Sequence, residues 1–519
     1  MHTTQDALVK RMLTPSFYDH PVTEVELVET HISWIFLAGD FAYKLKKPVN
    51  FGFLDFSTPE KRQYFCQEEL RLNKRFAPQL YLEIVRIGGE PDSPKLNGEP
   101  EIDYAVKMRR FPQRRQLDRM LAAGELSVDH MERFAEKIAQ IHRHAPVTET
   151  NSEFGSPQLI IEPILQNFVQ IRRFLPDTGM VQQVDMLESW SRTAHARLEE
   201  IFLQRQSEGF IRECHGDVHL ANMAWFDGAP LLFDCIEFSE NLRWIDLIND
   251  VAFLTMDLDD RGEAALGWRF LNRYLRETGD YPGTVLLNFY KVYRAMVRAK
   301  VACLRLSQPD LDEKEKSTDL HLAHSYLELA SGYVAPHTPR LIICHGLSGS
   351  GKTTFVNELA PLCGAICLHS DIERKRLHDL AATAASHSPI DGGIYSATAT
   401  EDTYQRLLEL AESLLGAGFN TIIDATFIKR QPREAMSRLA EKLKIPLYIL
   451  DFPLSAEELQ QRIIERTRQP GQISEANHAV LEFQLTHEEP LSSDELKNVV
   501  RVLPGTSAEK IAAQFTDQG

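Results

Sequence analysis

The sequence predicts an α+β domain with two lobes, followed by an α/β domain with a parallel sheet. A strand-rich stretch precedes a mainly helical one within the first two-thirds of the chain. After residue 340, apolar strand patterns alternate with helix patterns, which is typical of a parallel sheet covered by helices. A proline-containing stretch at 334–339 separates the two patterns.

Length and composition agree with this division. At 519 residues the chain is too long for one ordinary core. Its 43% hydrophobic and 25% charged residues are typical of globular proteins, and its formal charge of -17 argues against non-specific nucleic-acid binding. The 7 cysteines are scattered and odd in number, so we expect no disulfide framework. With no signal peptide or membrane span evident, a cytoplasmic location is expected.

The boundary between the domains is predicted at residues 334–339. Pro336 and Pro339 disfavour both helix and central strand there. We therefore expect one domain over 1–335 and a second over 340–519.

The first domain begins with strand patterns. Residues 32–50 read as two strands around a Gly39-Asp40 turn, and residues 101–111 as a further strand. Between them, residues 59–77 read as a helix that places Phe65, Leu72 and Phe76 on one face. From about residue 115 the pattern is mainly helical, interrupted by a short apolar strand at 231–233.

The motif HGDVHLAN at 215–222, followed by Phe233-Asp234, carries chemistry. Phosphoryl transfer from ATP needs a carboxylate that orients the attacking hydroxyl and hard oxygen ligands for magnesium. Asp217 is the candidate base that takes the hydroxyl proton. Asn222 and Asp234 are the candidate Mg²⁺ ligands.

A lysine from the strand-rich lobe must also reach the nucleotide phosphates. Lys44 is the candidate, and Lys46 on the same strand face is the alternative. A carboxylate must hold this lysine. Glu69 shares a helix face with the predicted core residues and is preferred, with Glu68 as the alternative.

These residues resemble the aminoglycoside phosphotransferase-like branch of the protein-kinase fold, over about residues 30 to 300. The resemblance implies a bilobal kinase-like domain that uses ATP and Mg²⁺. It also implies that Asp250 braces the catalytic loop. Glu237 stands where protein kinases have glycine, and it either adds a metal ligand or caps the loop. A non-catalytic kinase fold is the alternative to an active one.

The second domain contains a nucleotide-binding loop. Residues 346–353 fit G-x-x-x-x-G-K-[ST] and lie between a predicted strand and a predicted helix. Backbone N–H groups of such a loop and the following helix N-terminus bind phosphates. The candidate nucleotide-binding residues are Gly346, Ser348, Gly349, Ser350, Gly351, Lys352, Thr353 and Thr354.

Other candidates follow later strands. Asp424 ends the apolar strand at 421–423 and, with Thr353, is expected to hold magnesium. Asp371 follows the strand AICLH. Arg462, Arg466 and Arg468 precede Pro470-Gly471, where a lid could bring arginine charge to the γ-phosphate.

From about residue 340 to 485 the sequence resembles small P-loop kinases of the polynucleotide kinase and zeta-toxin type. The resemblance implies that Asp371 activates an acceptor hydroxyl and that Arg374 faces the substrate. A helix N-cap is the alternative role for Asp371.

We therefore expect an ATP- and Mg²⁺-dependent phosphotransferase with two nucleotide sites. The first domain would act on a small-molecule hydroxyl, and the second would be a kinase or ATPase. The whole chain resembles bacterial proteins that join these two parts in this order. Two alternatives are a polynucleotide 5′-hydroxyl kinase at the second site, near Arg374 and Arg430, and a module that only binds nucleotide and regulates the other.

Overall fold

The computed structural model describes residues 2–516 except 51, 53, 91–92, 150, 176–177, 307–310, 383, 385–387, 389–391 and 467–477. Contacts divide the chain into two compact units. Unit 1 is Met1–Asp257 with Tyr293–Ala323, and unit 2 is Leu258–Val292 with His324–Gly519. Residues 258–292 thus group with the later part of the chain, and the proline stretch at 334–339 lies inside unit 2. Independent folding of 1–335 and 340–519 stays a prediction.

The elements as far as residue 334 include both strands and helices. The strands are β1 (Val25–Glu29), β2 (Ser33–Ala38), β3 (Phe41–Lys46), β4 (Tyr81–Gly88), β5 (Lys95–Leu96), β6 (Glu101–Arg109), β7 (Ile211–Glu213), β8 (Met223–Phe226), β9 (Ala229–Leu232) and β10 (Trp244–Asp246). The helices are α1 (His2–Met12), α2 (Pro59–Phe76), α3 (Leu117–Ala122), α4 (Val128–His144), α5 (Pro157–Arg172), α6 (Thr178–Ser207), α7 (Glu240–Arg243), α8 (Leu247–Asp260), α9 (Ala264–Thr278), α10 (Leu287–Arg305) and α11 (Glu313–Val334). Within the described residues, none of the helices combines the length and apolar character needed to cross a bilayer.

The sheet of unit 1 has the order β1-β2-β3-β6-β4-β5, and its neighbouring strands are antiparallel. The predicted turn joins β2 to β3, and Gly39 has a φ of 58° there. A Cβ on Gly39 would lie 2.7 Å from the Pro21 carbonyl oxygen, so the turn requires glycine. Lys44 pairs with β2 on one side and β6 on the other, which places it in the interior of the sheet.

Helix α2 lies against β4 and β6, as its amphipathic pattern predicts. Leu72 and Phe76 are buried, and Cys66 shares a core with Val106 and Met108. The helix begins after Thr58, whose side chain accepts a hydrogen bond from the Lys61 N–H. This packing turns Glu69, with 0% exposure, toward the sheet.

The later elements begin at residue 341. The strands are β11 (Leu341–His345), β12 (Ala365–His369), β13 (Asn420–Asp424), β14 (Leu447–Asp451) and β15 (Val499–Arg501). The helices are α12 (Lys352–Leu362), α13 (Ser370–Leu377), α14 (Ala397–Gly416), α15 (Arg430–Leu443), α16 (Ala456–Arg466), α17 (His478–His487) and α18 (Ala508–Thr516).

The sheet of unit 2 is parallel, as predicted, with the order β12-β13-β11-β14-β15. Every residue of β11, β12 and β13 is buried, because helices cover both faces of such a sheet. Parallel strands bring their carboxyl ends to one edge, and His369 of β12 is in register with Asp424 of β13. The nucleotide-binding loop follows β11 at this same edge.

Candidate active sites

The motif HGDVHLAN forms a loop that the surrounding helices brace. Asp250 of α8 accepts hydrogen bonds from the His215 N–H at 3.0 Å and the Gly216 N–H at 2.8 Å. Arg294 of α10 donates to the Gly216 carbonyl oxygen at 2.9 Å. Gly216 has a φ of 83°, and a Cβ there would lie 2.6 Å from the Leu242 carbonyl oxygen. The Asp250 contacts are the bracing that the resemblance implied.

Asp217 contributes a partly exposed carboxylate to this loop. The Asn222 amide donates to Asp217 Oδ2 at 2.8 Å, and the side chain of Asp217 is 33% exposed. Burial alone would raise the pKa of Asp217, but the imidazoles of His219 and His215 and the Arg294 guanidinium outweigh it and lower the pKa to about 2. An ionised and reachable carboxylate can accept a proton from a hydroxyl.

Both candidate lysines converge on Glu69. Lys44 Nζ lies 2.9 Å from Glu69 Oε1, and Lys46 Nζ lies 2.7 Å from Glu69 Oε2. Lys44 also pairs with Asp234, and Lys46 with Glu237. Burial alone would raise the pKa of Glu69, but the two ammonium groups lower it to about 2. The sequence predicted one lysine–glutamate pair, whereas the structure has a linked set of two lysines and three carboxylates.

Exposure distinguishes the two lysines. Lys46 is fully buried and its partner Glu237 nearly so, whereas Lys44 pairs with Asp234, whose side chain is 45% exposed. Burial alone would lower the pKa of Lys44, but Asp234 and Glu69 hold that pKa well above its usual value. Lys44 therefore contacts the most exposed carboxylate of the set. Glu68 instead pairs with Arg71 at 2.8 Å.

Asp234 is held in a left-handed backbone conformation, with a φ of 62°. Its N–H donates to the Tyr81 hydroxyl at 3.1 Å, and the Phe233 N–H donates to the Asn222 carbonyl oxygen at 3.0 Å. A non-glycine residue in this region is uncommon and often marks a functional site. The backbone of Asn222 is thus hydrogen-bonded to the residue before Asp234, which links the segments that carry the two candidate metal ligands.

The nucleotide-binding loop has the positive φ angles that its glycines allow. Gly346, Gly349 and Gly351 have φ values of 147°, 88° and 95°. Lys352 opens helix α12 and donates to the Gly346 and Leu347 carbonyl oxygens at 2.9 and 2.8 Å. These hydrogen bonds hold the Lys352 side chain against the nucleotide-binding loop.

Asp424 and Thr353 meet at the carboxyl edge of the sheet. The Thr353 hydroxyl donates to Asp424 Oδ2 at 2.7 Å, and His369 Nδ1 lies 2.9 Å from the same oxygen. Burial alone would raise the pKa of Asp424, but the contacts with His369, Lys352 and Thr353 lower it. The sequence motifs gave His369 no role at this site, although its position at the end of β12, like that of Asp424 at the end of β13, was a usable signal.

A cavity of about 1570 Å³ opens at this edge. Among its lining residues are Ser348, Gly349, Gly351, Lys352, Thr353, Thr354, Asp371, Arg374, Asp424 and Arg462. Gly346 and Ser350 belong to the loop but are not among the lining residues, and Arg462 Nη1 donates to the Ser350 carbonyl oxygen at 3.2 Å. Arg466 ends α16, but its side chain and the whole of Arg468 lie outside the described residues.

The alternative role of Asp371 as a helix N-cap is wrong. The N-cap of α13 is His369, and Asp371 lies inside the first turn. Because the strand runs directly into the helix, the capping position falls before Asp371, and Asp371 is instead one of the residues that line the cavity. Arg374 on the same helix donates to the Ile394 carbonyl oxygen at 3.0 Å and to the Thr400 hydroxyl at 3.1 Å.

Helix α17 adds a contact that no sequence motif predicts. Gln484 accepts from the Ser348 N–H at 2.9 Å and donates to the Ser348 hydroxyl at 3.0 Å. Beside it, the rings of Phe483 and His487 stack with centroids 4.1 Å apart and also line the cavity. No local motif marks these residues, since only the fold brings α17 to the loop.

The donor sets at both sites fit magnesium and a nucleotide. Magnesium prefers carboxylate, amide and hydroxyl oxygens, and each site presents such groups beside a lysine. Asn222 and Asp234 offer them in unit 1, and Thr353 and Asp424 in unit 2.

Comparison with known protein families identifies both parts of the chain. Residues 62–286 match the phosphotransferase enzyme family, and residues 341–491 match an AAA domain family. The protein Rv2004c of Mycobacterium tuberculosis strain H37Rv, named only as uncharacterized, is 33% identical over 450 residues, covering 86% of this chain and 88% of its own. Mb2027c of Mycobacterium bovis, also named as uncharacterized, matches to the same extent.

Two solved structures are similar to part of the chain. Amicoumacin kinase hAmiN is 10% identical, with 62% of this chain and 93% of that chain covered and a TM-score of 0.40. A sugar kinase from Janibacter sp. HTCC2649 is 22% identical, with 35% and 93% covered and a TM-score of 0.27. Because it is 33% identical to Rv2004c over most of both chains, this chain belongs to one family with that protein, and it joins a phosphotransferase-family kinase domain to a P-loop kinase domain.

Proposed function

We propose that the chain is an ATP- and Mg²⁺-dependent phosphotransferase with two active sites. Unit 1 would phosphorylate a hydroxyl of a small molecule, and the P-loop site of unit 2 would act as a second kinase or as an ATPase. The observation that carries the proposal is the arrangement at Asp217: an ionised, 33% exposed carboxylate held by Asn222 at 2.8 Å.

In unit 1, Asp217 would accept the proton of the acceptor hydroxyl. The hydroxyl oxygen forms a bond to the γ-phosphorus while the bond to the β–γ bridging oxygen breaks, and ADP leaves with that electron pair. Lys44, held by Glu69, would contact the nucleotide phosphates. Asn222 and Asp234 would hold Mg²⁺, which supplies positive charge against the phosphate oxygens.

In unit 2, Lys352 and the backbone of residues 346–351 would hold the nucleotide phosphates, with Thr354 beside them. Thr353 and Asp424 would hold Mg²⁺, and their 2.7 Å hydrogen bond supports this pairing. Asp371 would accept the acceptor's proton. Arg462, and Arg466 at the end of the same helix, would place positive charge near the transferred phosphoryl group.

Separate substitutions at the two sites test the proposal. We would incubate the full chain with labelled ATP and a fractionated metabolite extract and compare Asp217→Asn with Lys352→Ala. Asp217→Asn should reduce one labelled product by about 100-fold or more, as loss of a general base does. Lys352→Ala should abolish nucleotide turnover at the other site alone. The exposed Asp227 and Lys442 provide the matched controls, Asp227→Asn and Lys442→Ala.

If neither substitution removes a product in a screen that gives turnover, the two-site proposal is wrong. The same assay with 5′-hydroxyl oligonucleotides decides the polynucleotide alternative, which requires Lys352-dependent labelling of their ends. A regulatory module would show a different result: Lys352→Ala would alter the Asp217-dependent rate without removing any product of its own.

A further inference from the structure

Helix α9 lies in the sequence range matched by the phosphotransferase family, yet it belongs to unit 2, which contains the nucleotide-binding loop at 346–353. Strand β12 is the edge strand of the unit 2 sheet. The Asn272 side chain of α9 donates to the Ala365 carbonyl oxygen at 2.9 Å and accepts from the Cys367 N–H at 2.7 Å. Its amide therefore pairs with the edge as a neighbouring strand would, which fixes α9 against β12.

The other end of α9 is fixed to helix α13. Arg376 donates to the Arg276 carbonyl oxygen at 2.8 Å, and its guanidinium lies 5.9 Å from the centroid of the Tyr281 ring. Gly279, with a φ of 75°, ends the helix where a Cβ would lie 2.7 Å from Arg376 Nε. Helix α9 is thus attached to the strand before Asp371 and to the helix that carries it.

This attachment places Arg276 among the residues that line the cavity beside the nucleotide-binding loop, together with Asp371 and Arg374. Apart from Asp371, each carboxylate of α9 and α13 forms an ion pair with an arginine other than Arg276. Glu277 pairs with Arg273 at 2.9 Å, and Glu373 pairs with Arg376. Arg374 is 8% exposed, and its Nε has no hydrogen-bond acceptor among the described residues.

We propose that Arg276 is an acceptor-binding residue of the P-loop site, and that the acceptor carries an anionic group, a phosphate or a carboxylate, which this guanidinium binds. A guanidinium binds such planar or tetrahedral oxyanions through paired hydrogen bonds. The inference rests on the proposed kinase activity of unit 2. It adds a residue outside the matched P-loop range and a chemical class for the acceptor.

The test uses inorganic phosphate as the probe and the full chain saturated with Mg²⁺ and AMP-PNP, so that the γ-phosphate position is filled. Isothermal titration compares wild type with Arg276→Ala, Arg276→Lys and the control Arg273→Ala from the preceding turn. Arg276→Ala should weaken phosphate binding by about tenfold, as loss of a charge-assisted pair does. The phosphate affinity of Arg276→Lys should lie between those of Arg276→Ala and wild type. The phosphate affinity of Arg273→Ala should equal that of wild type. Equal affinities for Arg276→Ala and Arg273→Ala, or no phosphate binding by wild type, would overturn the inference.

The affinity for AMP-PNP and the thermal unfolding of Arg276→Ala are measured to check that this variant keeps the fold. If the variant is misfolded, the phosphate affinities of Arg276→Lys and wild type are compared instead, and equal values would overturn the inference. A second measurement uses pairs of acceptors such as glycerol and glycerol 3-phosphate. Each protein in this measurement also carries Asp217→Asn, so that the unit 1 site does not contribute to the rate. Arg276→Ala should raise the KM of the phosphorylated member of a pair and leave the KM of ATP unchanged.

The two measurements separate the two proposals. If no Lys352-dependent transfer occurs but phosphate binding still depends on Arg276, the kinase proposal fails and the anion site stands. If transfer occurs and is indifferent to Arg276 and to acceptor charge, the kinase proposal stands and the anion site fails.

Discussion

At the residue scale, unit 1 depends on charges that are buried together. Lys44, Lys46, Glu69 and Glu237 are each at most 5% exposed, and they reach the more exposed Asp234 through Lys44. Isolated charges cannot be buried at such sites without a large cost in free energy, so each one depends on its partners. From this arrangement we expect different tasks for the two lysines.

Lys46 is expected to serve stability rather than phosphate binding. Lys46→Met leaves Glu237 and Glu69 with less positive charge in a buried site and should lower the free energy of unfolding by about 3–5 kcal/mol. Adding Glu237→Gln removes the uncompensated carboxylate and should restore most of that loss. Urea unfolding of the single and double variants measures both effects. Equal stability of Lys46→Met and wild type would contradict this assignment.

The low pKa of Asp217 predicts how stability and the activity of the unit 1 site depend on pH. Its folded-state pKa of about 2 lies below the ordinary value near 3.8, so its contribution to stability is present above that ordinary value and is lost as the pH falls through about 2. First-site kcat/KM should therefore show no acidic limb from Asp217 between about pH 5 and 8.

His219→Ala removes the main group that lowers this pKa, so the acidic limb should move to higher pH. The position of the limb in the pH–rate profile is the readout, and the exposed His321→Ala is the control. An unmoved limb in His219→Ala would show that His219 does not set the protonation of Asp217.

At the element scale, a single side chain covers part of an edge strand. Asn272 hydrogen-bonds to both Ala365 and Cys367 of β12, and Trp268 on the same helix lies beside Gly364, where a Cβ would be 3.3 Å from the indole nitrogen. An edge strand without such cover exposes unpaired backbone groups. The helix therefore contributes to the stability of the P-loop sheet.

Asn272→Ala should destabilise unit 2 by about 1–3 kcal/mol, because it leaves a backbone donor and acceptor of β12 without their partner. Thermal unfolding measures the loss, and hydrogen exchange at the Cys367 amide should become faster. The exposed Asn498→Ala is the control. An unchanged exchange rate at Cys367 would mean that the Asn272 contact does not protect this edge.

At the scale of the whole molecule, the compact units do not follow the chain in order. Unit 2 takes Leu258–Val292 from before the proline stretch and combines it with His324–Gly519. A fragment that starts at residue 340 lacks this segment and exposes the edge of β12. The proline stretch at 334–339 separates two sequence patterns, but it does not coincide with the boundary between the two compact units.

The fragment 340–519 should be less stable than unit 2 in the full chain and should self-associate through the uncovered strand. Size-exclusion chromatography and amide exchange of β12 test this. A peptide spanning 262–282 should slow the exchange when added to the fragment, whereas the same peptide with Asn272→Ala should not. A monomeric fragment with the protection of the full chain would show that α9 is dispensable.

Local patterns carried much of the information about fold and sites. The turn at Gly39-Asp40, the helix over Pro59–Phe76 and the strand–loop–helix around Lys352 follow from periodicity, glycine positions and motif spacing, which depend on near neighbours in the chain. The same patterns brought forward Asp217, Asn222, Asp234, Asp371 and Asp424, because phosphate chemistry requires those residue types at such positions.

Tertiary structure decided what depends on distant segments. The different partners of Lys44 and Lys46 depend on the burial of Glu237. The contacts of His369 and Gln484 depend on the register of β12 and the placement of α17. The contribution of Asn272 and Arg276 to the P-loop unit needed the path of α9. Such contacts join residues far apart in the chain, and burial, charge pairing and edge pairing are properties of the packed molecule that no local pattern contains.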